Sequence, residues 1–188
     1  MKFQHDKPGE FKNIKEGWVR LAVTSAQATE AEDDKYGRLT VPLRLNPVTA
    51  DGEIIKGGSV FDTLYLPVVN DEFPDKTPKS TWRWRMYVCA FDPNFPRYPK
   101  KVGKSKYETH TGELVDWAKS VEIQGELDNM LSKVIEDVYN DPKRWEGETA
   151  FFEIEHQVYE GKVSARVKTA ATNLPAGKEA MVDNFYEE

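Results

Sequence analysis

A mainly β fold with a helical insert is what this sequence predicts, and three observations predict it. Apolar and polar residues alternate at strand spacing over 17–24, 38–45 and 59–66. A proline-punctuated middle with one long amphipathic stretch follows. Two more strand-like runs, 149–158 and 161–169, close the core. Three strands, a helical insert and two strands is the element order of a five-stranded OB-type barrel, with the helices between strands 3 and 4. The outer face of that barrel most often holds single-stranded nucleic acid or short sugars.

Residues 1–16 are mostly polar and read as an N-terminal arm. In the first strand Val19, Leu21 and Val23 share one parity, Trp18 and Arg20 the other. The polar stretch 30–37 ends in Gly37 and reads as a turn. The second strand points Leu39, Val41, Leu43 and Leu45 inward and Arg38, Thr40, Pro42 and Arg44 outward, and Pro42 predicts an edge or a bulge. Asp51-Gly52 and Gly57-Gly58 are turn signals. The third strand puts Val60, Leu64 and Leu66 inward and Phe61, Thr63 and Tyr65 outward. Asp62 falls on the inward parity and predicts a bulge or the end of the barrel.

Ser80-Thr81 supplies capping residues for the stretch that follows. That stretch, Trp82-Arg83-Trp84-Arg85-Met86-Tyr87-Val88, fits a strand with a stacking face or a helix running to Phe91. The capping signal and Cys89-Ala90 favour the helix. Residues 92–108 carry proline, lysine and glycine and read as a loop. The helix signal is clearest over 125–139, where Leu127, Met130, Leu131, Val134, Ile135 and Val138 follow one face. The fourth strand points Phe152 and Ile154 inward, with Val158 further along on the same parity. Tyr159-Glu160-Gly161-Lys162 forms a hairpin turn, and the fifth strand buries Val163, Ala165 and Val167. Residues 17–173 make the domain, and 174–188 read as an acidic, aromatic-containing tail.

A chain of 188 residues suffices for one core. Charged residues at 31% and apolar ones at 39% fit a folded globular protein rather than a disordered one. No apolar run reaches the ~18 residues that cross a bilayer, so no membrane partner is expected. The polar first residues and the single Cys89 predict a protein of the cytoplasm. The net charge of −6 opposes polyanion binding by the chain as a whole. The charge is uneven, however. Arg97, Lys100, Lys101, Lys104 and Lys106 form a basic segment with no acid between them, and Glu179, Asp183, Glu187 and Glu188 make the end acidic.

Single-strand binding needs cations to track phosphates and flat rings on which bases stack. The outward parities supply both: Trp18 and Arg20, Arg38 and Arg44, Phe61 and Tyr65, then Lys162, Arg166 and Lys168. Arg97, Lys100, Lys101, Lys104, Lys106 and Tyr107 are expected to form a mobile clamp over that face. Asp183, Phe185, Tyr186, Glu187 and Glu188 mix acids with rings and are expected to bind a partner, or to lie in the protein's own groove as a phosphate mimic. Catalytic signatures are missing. His5, His110 and His156 are scattered with no metal-ligand spacing, and Gly57-Gly58 lacks the lysine-serine ending of a phosphate-cradling loop. The expectation is a protein with no catalysis, no metal and no cofactor.

Gly17-Trp18-Val19, Gly37-Arg38-Leu39-Thr40-Val41, Val60-Phe61-Asp62-Thr63-Leu64-Tyr65-Leu66, Trp145-Glu146-Gly147-Glu148-Thr149-Ala150 and the Tyr159-Glu160-Gly161-Lys162 hairpin resemble phage-encoded single-stranded-DNA-binding proteins with an OB core. The resemblance covers most of 17–188. It implies sequence-independent binding of single strands in phage DNA replication, recombination or repair, in the host cell cytoplasm, with the tail recruiting replication or recombination proteins. The competing class is a non-catalytic β-barrel interaction module or virion component. A metal-dependent nuclease comes third. Homo-oligomer formation and the choice between DNA and RNA stay open at this point.

Overall fold

The computed structural model describes residues 12–188. The arm expected over 1–16 therefore lies outside the described residues over 1–11. The described residues form nine strands and two α-helices: β1 (Gly17–Ala26), β2 (Thr40–Pro47), β3 (Val60–Tyr65), α1 (Trp82–Phe91), β4 (Lys100–Gly103), β5 (Lys106–Glu108), β6 (Leu114–Val115), α2 (Trp117–Asn140), β7 (Thr149–Tyr159), β8 (Lys162–Ala171) and β9 (Ala180–Met181). The large sheet runs β3-β2-β1-β7-β8, with β9 paired to β1, and β4-β5-β6 form a small second sheet.

Alternation places Val19, Leu21 and Val23 of β1, Val41, Leu43 and Leu45 of β2, and Phe152 and Ile154 of β7 on one side of the sheet, all essentially inaccessible. α1 caps that side with Trp84, Tyr87 and Val88. Trp145 and Phe91 pack against Tyr87 and one another, so the centre of the core is an aromatic cluster. Stretch 82–88 lies in helix α1; Thr81 at its N-cap makes no side-chain capping bond, and Ser80 Oγ accepts the Trp82 N–H at 3.4 Å. Pro42 sits in an interior strand, not on an edge. Its carbonyl accepts from the Gln27 N–H at 3.3 Å, just past the last β1–β2 pair, Ala26–Leu43, so its missing N–H faces a side where the ladder has already ended.

Closure of the barrel is where structure and expectation part. Every ladder along the path is antiparallel, and none joins β3 to β8, so the sheet stays open at that seam. A side chain crosses it. Arg83, on the first turn of α1, donates from Nε to the Asp62 carboxylate at 2.9 and 3.0 Å and from Nη2 to the Val167 carbonyl at 2.9 Å. Tyr87 Oη donates to the same carboxylate at 2.7 Å. Asp62 is thus the inward acid of an unzipped edge. Burial, and then the negative charge of Asp62, push the Tyr87 phenol well above its ordinary pKa, so it remains a donor.

Three further elements differ from expectation. α2 begins at Trp117, because Asp116 accepts the Lys119 N–H at 2.8 Å as N-cap. Its first turns expose Trp117 and Val121, so no apolar face announces them. The loop expected over 92–108 instead folds β4 and β5 into a hairpin. The C-terminal tail is packed: β9 runs parallel to β1, Ile14 bridges Tyr186, and Phe185 is only 5% exposed. Among the described residues no helix is long and apolar enough to cross a membrane.

Candidate nucleic-acid interface

The outward face of β2 and β3 carries the densest arrangement of rings and cations. Register places Arg44 opposite Phe61 and Thr40 opposite Tyr65. Residues that face one another across two antiparallel strands sit within side-chain reach. The Arg44 guanidinium lies 5.9 Å from the Phe61 ring centroid, and that of Arg38 lies 4.8 Å from Tyr65. Phe61 is 62% exposed and Tyr65 36%, the reverse of what burial would demand of large rings. Arg44 also donates to Ser59 Oγ at 2.8 Å, which aims the side chain along the strand.

Tyr36 extends this row and was not legible in advance, because it stands in an acidic turn. Its ring lies 4.6 Å from Lys35 Nζ, 5.2 Å from the Arg38 guanidinium and 5.3 Å from Lys76 Nζ, with Phe73 edge-on. A hydrogen bond from Lys35, and then its charge, hold the Tyr36 phenol below its ordinary pKa. Asp34 anchors the turn by accepting from Arg38 Nε and Nη2, both at 2.9 Å. That bidentate pair is the largest cause holding the Asp34 carboxyl well below the usual carboxylate range. At the other end of the row, buried Asn46 donates to the Ile55 and Gly58 carbonyls, both at 3.1 Å, and accepts from Thr24 at 2.7 Å. It ties the turn before β3 to the sheet.

The remaining expected residues do not join this strip. Trp18 is buried, 8% exposed, because β9 adds a strand beside it; it cannot offer a ring to solvent. Arg20 is half-buried and donates to Thr149 Oγ1 at 3.1 Å. Arg166 donates to Glu155 at 2.6 Å, and Lys168 pairs with Glu153 at 3.4 Å. These two acids occupy the outward parity of β7, so the cations of β8 meet carboxylates before any phosphate. Lys162 is exposed at the β7–β8 hairpin turn, next to Tyr159. Lys100, Lys101, Lys104, Lys106 and Tyr107 sit on and between β4 and β5, and that hairpin packs on α2 instead of closing over the β2–β3 face. The expectation of one surface built from four strands narrows to two.

The tail residues divide. Phe185 enters the core, and Tyr186 lies across Gly57 and Gly58, donating to the Gly58 carbonyl at 3.0 Å. Neither ring is presented to a partner, because the strand pairing of β9 and the Ile14 bridge draw both onto the body. Asp183, Glu187 and Glu188 stay exposed. Among the described residues no group of three or more His, Cys, Asp or Glu side chains could hold a metal ion. No protein-family model matches the chain, and no curated protein matches it.

Proposed function

We propose that this protein binds single-stranded DNA without regard to sequence, along the β2–β3 face of an OB-type barrel, in phage DNA replication, recombination or repair. The observation that carries the reading is the cross-strand row of Arg44 on Phe61 and Arg38 on Tyr65, with both rings exposed. Rings stack on bases of any identity, and guanidinium groups meet phosphates. The strand path β3-β2-β1-β7-β8 supports the barrel, since its two free edges, β3 and β8, approach each other and Arg83 spans the gap. In OB-type barrels this same face takes oligonucleotides. The work asked of the protein is binding alone, with no catalytic step and no cofactor, in the host cell cytoplasm. Exposed Asp183, Glu187 and Glu188 are the part of the tail left to meet replication or recombination proteins.

The overall charge of −6 restricts contact to a narrow track instead of a broad basic surface. The test is fluorescence anisotropy of labelled oligo-dT at low salt. Saturable binding that weakens steeply with salt is expected, and Phe61→Ala or Tyr65→Ala should each weaken it by roughly 1–3 kcal/mol. Wild-type protein that leaves the anisotropy unchanged defeats the reading.

A second reading, a protein-interaction module, is favoured by one observation. Val158, Tyr159 and Val163 are all exposed at the β7–β8 hairpin end. An apolar contact there would be nearly indifferent to salt, which separates it from phosphate binding.

A further inference from the structure

Along α1, from Trp82 to Ala90, and beside the end of β8 lies a cleft of about 420 Å³ lined by Trp82, Arg85, Cys89, Arg97, Tyr98 and Thr172, among others. Three features separate it from an ordinary surface dent. Arg85 and Arg97 are in no ion pair among the described residues, in contrast to Arg38, Arg83 and Arg166. The Arg85 guanidinium carbon lies over the Tyr98 ring, 4.0 Å from its centroid, and the side chain donates no hydrogen bond to another described residue. Trp82 is 48% exposed at the rim. Thr172 Oγ1 meanwhile shares its one proton between the Cys89 and Ala90 carbonyls at 3.0 and 2.9 Å, which partly occupies the carbonyls at that end of the helix.

The position of the cleft relative to the β2–β3 row is the other half of the argument. Trp84 Nε1 donates to the Tyr65 carbonyl at 2.8 Å, and Arg83 reaches Asp62 of β3 and Val167 of β8. The first turn of α1 thus touches the Tyr65 end of the row, and Trp82 on the same turn lines the cleft. Beyond it Arg97 and Tyr98 also border a smaller depression at the β4–β5 hairpin, with Lys100 and the carboxylate of Glu108 in its lining.

We propose that this cleft is a second nucleotide subsite, in which Arg85 and Arg97 hold backbone phosphates and Trp82 stacks a base, so that a strand leaving Tyr65 crosses the β3–β8 seam into it. The inference rests on the β2–β3 reading and extends it. Two oligo-dT lengths test it, one of about four nucleotides and one of about twenty, bracketing the site sizes of such barrels. With R85Q/R97Q the long strand should bind about tenfold more weakly at low salt, and the slope of log K against log salt should fall by about 1.4, two phosphates' worth. The short strand should bind as it does to wild type. W82F, which leaves both arginines in place and guards against misfolding of the double variant, should lose part of the fluorescence quenching that the long strand produces. Unchanged long-strand affinity and slope in R85Q/R97Q, equal losses at both lengths, or undiminished quenching in W82F would each overturn the second subsite while the β2–β3 reading stands. Wild-type protein that binds neither length removes the β2–β3 reading itself.

Discussion

Arg38 does two jobs that pull against each other, and their balance is measurable. Its guanidinium lies over Tyr65, and it is also bound bidentately by Asp34. The folded carboxyl of Asp34 titrates below its unfolded value, so the pair's contribution to stability is present above about pH 4 and is lost as acid carries the pH down through the folded value. In Arg38→Gln the Asp34 carboxyl should return upward towards the ordinary range, seen by NMR titration of its side-chain carbon. Arg44 has no carboxylate partner among the described residues and is the freer cation. Arg44→Gln should therefore lower the salt slope of oligo-dT binding by about 0.7, one phosphate. Asn46 acts on the same surface from below. Asn46→Ala removes the donor from two carbonyls at the turn before β3 and should cost about 2 kcal/mol in denaturant unfolding.

Two element junctions carry their own expectations. The β3–β8 seam is bridged by Arg83, which joins Asp62 to the Val167 carbonyl where no ladder does. Arg83→Met keeps the stem but leaves Asp62 with Tyr87 as its remaining side-chain donor, and should destabilise by roughly 2–3 kcal/mol. Hydrogen exchange should quicken in β3 and β8 before it does in β1 and β7. The β7–β8 hairpin holds Glu160 at φ 49° and Gly161 at φ 76°, the left-handed pair of a two-residue turn. Glutamate resists that conformation and asparagine tolerates it, so Glu160→Asn should raise stability by roughly 0.5–1 kcal/mol, read from the urea midpoint.

For the whole molecule, the tail behaves as a latch that joins both described ends of the chain. Ile14 bridges Tyr186, Phe185 fills the core, and Tyr186 covers the turn that leads into β3. Phe185→Ala should cost up to about 3 kcal/mol, less if the last residues simply undock, and should open the tail to proteolysis. If the strip binds DNA as proposed, this variant should retain Phe61 and Tyr65 and bind oligo-dT within a few-fold of wild type. A partner that needs the two tail rings would have to displace them first, whereas one that reads only the three exposed acids would not.

The order and approximate bounds of β1, β2, β3, β7 and β8, the helix at 82–91 and the apolar face of the long helix follow from local periodicity and were legible residue by residue, whereas the short strands β4, β5, β6 and β9 carry no such pattern. So was the alternation that turns Phe61 and Tyr65 outward on β3 and Arg38 and Arg44 outward on the segment beside it. What local pattern could not decide was which side chains share a neighbourhood. Glu153 and Glu155 neutralise Lys168 and Arg166 only because β7 pairs with β8, Trp18 is covered only because a strand 160 residues later lies beside it, and Asp62 finds its cation on a helix that begins 20 residues away. Parity tells which face a residue points to, and it is a property of a few neighbouring bonds. Exposure and charge on that face depend on what distant segments bring to it, and only the tertiary structure holds that information.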